Sequence, residues 1–200
     1  MNKKALLKFA ALFLLAYTVL LVLSLQFGRQ YVELLLPLYR WEIGWCAPEY
    51  RIQSLAVQED RGEAVVSLNL KLEQYTFAAG QLLQPGINIS SSTLAGHSLQ
   101  HALLIFSLLA AWPATGISRR FALLCLAVPL LLLVEMLDVP LVLLGSNEDI
   151  ILANVAPTAS SFLVDWMNFL NGGGRLALSI AAALLTVAMS KFQFSRPVAE

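Results

Sequence analysis

The chain has 200 residues, 58% of them hydrophobic and 13% charged, and its 13 basic and 13 acidic residues cancel; its mean hydropathy is +0.71. Soluble globular domains carry about 25% charged residues, so this composition excludes an ordinary soluble domain. The neutral balance excludes a basic nucleic-acid binder and an acidic disordered tail.

A bilayer crossing needs about 20 mostly apolar residues. The first such run is Ala5 to Phe27, broken only by Lys8. A secretory signal would also begin with a basic Asn2-Lys3-Lys4. This run is longer than a signal core and continues through Gln26-Phe27-Gly28-Arg29 without a polar small-residue break, which favours an uncleaved anchor. Gln30 to Trp45 is rich in leucine and in rings (Tyr31, Tyr39, Trp41, Trp45), a texture suited to the headgroup layer, and Pro37 is expected to break or bend it.

A hairpin follows. Tyr50, Ile52 and Ser54 alternate and then slip to Leu55 and Val57, and Glu59-Asp60-Arg61-Gly62 supplies a turn. Val66, Leu68, Leu70 and Leu72 then fall on one face, the clearest strand in the chain. Tyr75–Ala78 and Ile87–Ser91 predict short strands around Gln84-Pro85-Gly86. An isolated hairpin is marginal in water, so the apolar side of this sheet needs cover from Leu34–Trp45 or from helix ends.

The second span is predicted from Ser98 to Thr115 and the third from Phe121 to Leu144, joined by a tight turn ending in Arg119 and Arg120. Ala159–Leu170 is too short to cross and reads as an interfacial or re-entrant helix. Asn171-Gly172-Gly173-Gly174 ends it, and the last span runs from Arg175 to Phe192. Ala177 with Ala181, and Ser179 with Ala183, give this span two faces of small residues for close helix approach.

The predicted fold class is thus an α-helical membrane protein with four transmembrane helices and a small antiparallel β outer domain. Its segments are 1–27, 28–97, 98–120, 121–144, 145–174 and 175–200, where 28–97 and 145–174 face outward. Lys3, Lys4 and Lys8, then Arg119 and Arg120, then Lys191 and Arg196 all fall on one side. Positive flanks stay inside, so both termini are expected in the cytoplasm.

The residues with chemical potential are few. Glu135 and Asp138 lie three apart in the third span and share a helix face; intramembrane acids are functional candidates by default. His97 and His101 are four apart at the outer end of the second span, and Arg175 opens the last. Three readings fit this polar cluster. One is a structural pairing, with Arg175 on one acid and a histidine on the other. Another is a zinc-like His/His/Glu/Asp set, although no His-Glu-x-x-His sequence is present. The last is a groove for a peptide or for protons. Trp41, Trp45, Asp165 and Trp166 are candidate partner-binding residues. Cys46 reads as a small buried residue and Cys125 as inert. Asn88-Ile89-Ser90 matches the glycosylation triplet, which arises easily by chance. No cofactor, resident metal or nucleic-acid partner is called for.

A basic start, one anchor, an aromatic outer segment with a hairpin, and a helical hairpin with a double arginine occur together here. With the texture Tyr39-Arg40-Trp41-Glu42, this layout resembles the small bacterial inner-membrane proteins that accompany exosortases, of the exosortase H-associated type. The resemblance implies an accessory role in surface-protein sorting. The exosortases themselves hold their cysteine in an Ala-Cys-Ser-Gly-like setting, whereas this chain has Trp45-Cys46-Ala47-Pro48, so no catalytic role carries over. The expected function is therefore a non-catalytic accessory or assembly subunit of the bacterial cell envelope, set in the inner membrane beside a membrane or envelope protein. A metal-assisted hydrolase at the outer leaflet and a subunit of a proton- or cation-coupled transporter are the alternatives.

Overall fold

The computed structural model describes residues 3–113 and 117–194. Of the predicted turn at 113–120, residues 114–116 lie outside the described residues, as does Arg196, while 117–120 are helical. The elements are helix α1 (Lys3–Cys46), strands β1 (Tyr50–Asp60), β2 (Glu63–Leu72), β3 (Thr76–Ala78), β4 (Gln81–Leu83) and β5 (Asn88–Leu94), then helices α2 (Ala95–Ala111), α3 (Ile117–Val155), α4 (Phe162–Phe169) and α5 (Arg175–Phe194).

Three stretches are long and apolar enough to cross a membrane: Lys3–Cys46, Arg119–Val155 and Phe162–Lys191. The predicted second span is shorter, since α2 has 17 residues and rises about 25 Å. The chain divides into two compact units, one of Met1–Gln26, Gln100–Val134 and Arg175–Glu200, the other of Phe27–Leu99 and Glu135–Gly174.

The first unit is helical. Its core joins Ile105 and Leu109 of α2, Leu123, Ala127, Leu131 and Val134 of α3, and Ala182, Ala183 and Val187 of α5. The three- and four-residue spacing of these positions on α2 and α3, and of Ala183 and Val187 on α5, makes one stripe per helix. Of the two small-residue faces on α5, Ser179 and Ala183 are buried while Ala177 and Ala181 are exposed, so only one packs internally. Phe9 meets Trp112 edge-on at 6.4 Å.

The second unit is built on a three-stranded antiparallel sheet in the order β1-β2-β5. Val66, Leu68, Leu70 and Leu72 are all buried, as their alternation predicts. The slip in β1 has a structural cause: the register shifts between Ile52 and Ser54, and this bulge moves the inward face from Tyr50 and Ile52 to Leu55 and Val57. Arg61 and Gly62, at φ 52° and 84°, form the two-residue turn into β2. Asn88–Leu94 pairs with β2, whereas Thr76–Ala78 pairs with Gln81–Leu83 in a separate hairpin.

The sheet is covered from α1 and α3. Val32, Leu35, Tyr39 and Ile43 share one core with Leu55, Val57, Val66, Leu68 and Leu70, and with Val139, Leu143 and Leu144. Ser91 Oγ adds a hydrogen bond to the Leu143 carbonyl at 3.0 Å. The apolar residues at the end of the predicted third span thus have protein neighbours in this unit.

Pro37 does not end α1, which runs unbroken through it. Proline removes one backbone hydrogen bond and crowds the carbonyl four residues back. Buried Leu35, Tyr39 and Ile43 on either side hold the helix together across the gap. Because Pro37 itself is exposed, replacing it with alanine sacrifices no packing. Pro37→Ala is expected to raise stability by about 2 kcal/mol, from the helix-interior penalty of proline less its effect on the unfolded chain. Thermal unfolding in detergent measures this; an unchanged or lower midpoint contradicts it.

Past α3, Ser161 caps α4 by accepting from the Val164 N–H at 3.3 Å, which trims the predicted Ala159–Leu170 helix to Phe162–Phe169. The glycine run then makes a wide turn over Leu170–Gly174, with Gly173 at φ 112°, before α5 begins.

Candidate functional site

The most developed polar arrangement in the second unit surrounds Glu135, which has no exposed surface. Its Oε1 accepts from the Tyr31 hydroxyl at 2.9 Å. Its Oε2 accepts from the Tyr39 hydroxyl and from Ser98 Oγ, both at 2.7 Å. Tyr39 and Ser98 are themselves 3.2 Å apart. Tyr31 and Tyr39 stand eight residues apart on α1, about 12 Å along its axis, so their rings reach the carboxylate from different turns. Ser98 comes from the first turns of α2. Hydrogen bonds to a charged acceptor are the strong ones, at about 1.5–3 kcal/mol each.

The sequence points to Glu135 but not to these three donors. Tyr31 and Tyr39 read as headgroup-layer rings, yet Tyr39 is fully buried while Trp41 and Trp45 are 62% and 76% exposed. The available signal was Tyr39's place in the stripe Gly28, Val32, Leu35, Tyr39, Glu42, which repeats every three or four residues and is buried throughout.

The other predicted residues are distributed as follows. His97 Nδ1 lies 3.1 Å from Thr93 Oγ1 in the second unit. His101 belongs to the first unit, fully buried, with Nδ1 2.7 Å from Ser179 Oγ, and that serine donates to the Arg175 carbonyl at 2.9 Å. Asp138 on α3 and Arg175 at the start of α5 are both buried. Among the described residues no group of three or more histidines, cysteines, aspartates or glutamates is arranged to hold a metal ion.

Of the predicted partner-binding residues, Trp41 and Trp45 lie one helical turn apart and exposed. Asp165 accepts from Ser160 Oγ at 2.7 Å. Trp166 is partly structural: its Nε1 donates to the Leu137 carbonyl at 2.7 Å, and its ring packs between Phe162 and Phe169 at 6.3 and 5.3 Å. Cys46, expected to be a small buried residue, is exposed; it is the last residue of α1, where the helix no longer has a following turn to cover it.

No family model, curated protein or solved structure matches this chain.

Proposed function

We propose that this chain is a four-span protein of the bacterial inner membrane that serves as a non-catalytic accessory or assembly subunit of the cell envelope, docking a protein partner on its outward unit. The observation that carries the docking role is the exposure of large rings on a unit that already has its own core: Trp41 and Trp45 on α1, Phe77 on β3 and Phe162 on α4 are 62–76% exposed. Aromatic side chains of this size dominate interface energetics when a partner covers them. The membrane reading is supported by α1, whose most apolar 18-residue window has hydropathy 2.4 and no buried residue, as lipid-facing helices require. The bacterial setting and the link to exosortase-type sorting come from the resemblance in sequence layout.

On this reading, a photo-crosslinker at Trp45 captures a discrete partner band in native membranes, and a tag at Ser118 is shielded from outside in intact cells. A protein that purifies as a monomer with no crosslinked partner removes the docking role. A Ser118 tag reachable from outside removes the topology.

A further inference from the structure

In the second unit the α1–β1 connection, the β3–β4 hairpin and α3 border a partly open cavity of about 140 Å³. A cavity of about 150 Å³ holds a benzene-sized guest, so this one suits a group of about six heavy atoms. Its apolar side is formed by Leu70, Leu83 and Leu144, all buried.

The polar side is unusual. Asn147 lines the cavity and is 3% exposed, and neither its amide nitrogen nor its amide oxygen has a hydrogen-bond partner. A buried polar atom left without a partner costs about 1–3 kcal/mol, and here one side chain holds both a donor and an acceptor in that condition. Glu49 and Glu148 line the same cavity, each partly buried. Neither belongs to the Arg29–Glu33 or Arg51–Glu73 ion pair. No lysine, arginine or histidine lines the cavity. Tyr50 stands in the same carboxylate field: burial, then Glu49, then Glu148 raise its phenol above the ordinary tyrosine value.

We propose that this cavity binds an organic cation, a guanidinium or primary ammonium group on a short apolar stem. The two carboxylates and the Asn147 oxygen accept from its N–H groups, and the leucines cover the stem. A guanidinium matches this set closely, since it offers up to five N–H donors in one plane. A hard metal ion matches it poorly, because calcium wants roughly six to eight oxygen ligands. The amide nitrogen of Asn147 also needs an acceptor, which a peptide carbonyl beside the cationic side chain supplies. The inference deepens the docking role by naming the partner chemistry, a lysine- or arginine-bearing segment, while a free amine such as agmatine carries the same head group.

The test is calorimetry on the full chain in lipid nanodiscs, with a capped Gly-Gly-Arg-Gly-Gly peptide, its citrulline counterpart, agmatine and calcium chloride as separate probes. The arginine peptide is expected to bind at least tenfold more tightly than the citrulline peptide, which keeps the shape and loses the charge. The double variant Glu49→Gln/Glu148→Gln is expected to lose at least tenfold in affinity for the arginine peptide, as is Asn147→Leu. Agmatine binding as tightly as the peptide assigns the site to the free cation, and weaker agmatine binding assigns it to a polypeptide. Equal affinity for the arginine and citrulline peptides overturns the proposal, as does saturable calcium binding that displaces the peptide, or no binding of either cation up to millimolar concentration. The citrulline comparison uses the unaltered protein, so it decides even where a variant fails to fold. These probes act on the isolated protein, so failure here leaves partner capture at Trp45 standing, and failed capture leaves this site standing.

Discussion

Replacing Glu135 with alanine is expected to lower the stability of the protein by about 3–5 kcal/mol, the range for stripping one partner from a buried charged network. The carboxylate accepts three hydroxyls, and two of its donors, Tyr39 and Ser98, have no exposed surface. They stand 3.2 Å from each other, so after truncation one bonds to the other and only one buried hydroxyl proton is left without an acceptor. That limits the loss, while the cavity left by the side chain adds to it. In a chain of this length each kcal/mol moves the unfolding midpoint by about 2–4 °C, which makes the shift about 10 °C. Glu135→Gln retains an acceptor oxygen and is expected to fall between the two. Tyr39→Phe should cost about 1.5–3 kcal/mol alone and much less in the Glu135→Ala background, because the partner is already gone. A midpoint for Glu135→Ala within 2 °C of the parent, or full additivity of the two substitutions, contradicts this network.

The same cluster shows what could be read without coordinates. An acid in an apolar run is visible in sequence because its desolvation is costly wherever it goes, and Glu135 and Asp138 stand out on that ground. Its partners are not visible, because Tyr31 and Tyr39 lie 104 and 96 residues away and a tyrosine in a leucine-rich stretch is equally at home in a headgroup layer. The sheet divides similarly. The strict alternation of Val66 to Leu72 exposes β2, and even the bulge in β1 leaves its trace as the slip between Ile52 and Leu55. The Thr76–Leu83 hairpin leaves little trace: its strands have three residues each, and its turn places Ala79 at φ 48°, a conformation alanine does not advertise. Asn147 reads as an unremarkable polar residue beyond an apolar run, and only packing reveals that its amide is enclosed.

Glycine supplies the second large effect, and here the sequence is silent for a definable reason. Gly44 and Gly145 are both helical glycines, so propensity predicts that alanine stabilises each helix by up to about 1 kcal/mol. A Cβ on Gly44 meets nothing within 4 Å, whereas one on Gly145 falls 2.5 Å from the Leu163 carbonyl oxygen and 3.1 Å from the Met167 Cβ. The obstacle is backbone, which has no alternative rotamer, so α4 must move away from α3. That movement also stretches the hydrogen bond from Trp166 Nε1 to the Leu137 carbonyl. Gly44→Ala is therefore expected to be neutral or mildly stabilising. Gly145→Ala should cost about 1–3 kcal/mol as an overpacked contact, and Gly145→Val more than 3 kcal/mol, since its two further methyl groups enter the same space. Thermal unfolding in detergent gives the order, and a tryptophan emission shift in the Gly145 variants but not in Gly44→Ala ties the loss to the α3–α4 contact. If Gly145→Val unfolds at the parent temperature, the two helices do not meet as closely as described, and Gly145 owes its place to something other than the approach of Leu163.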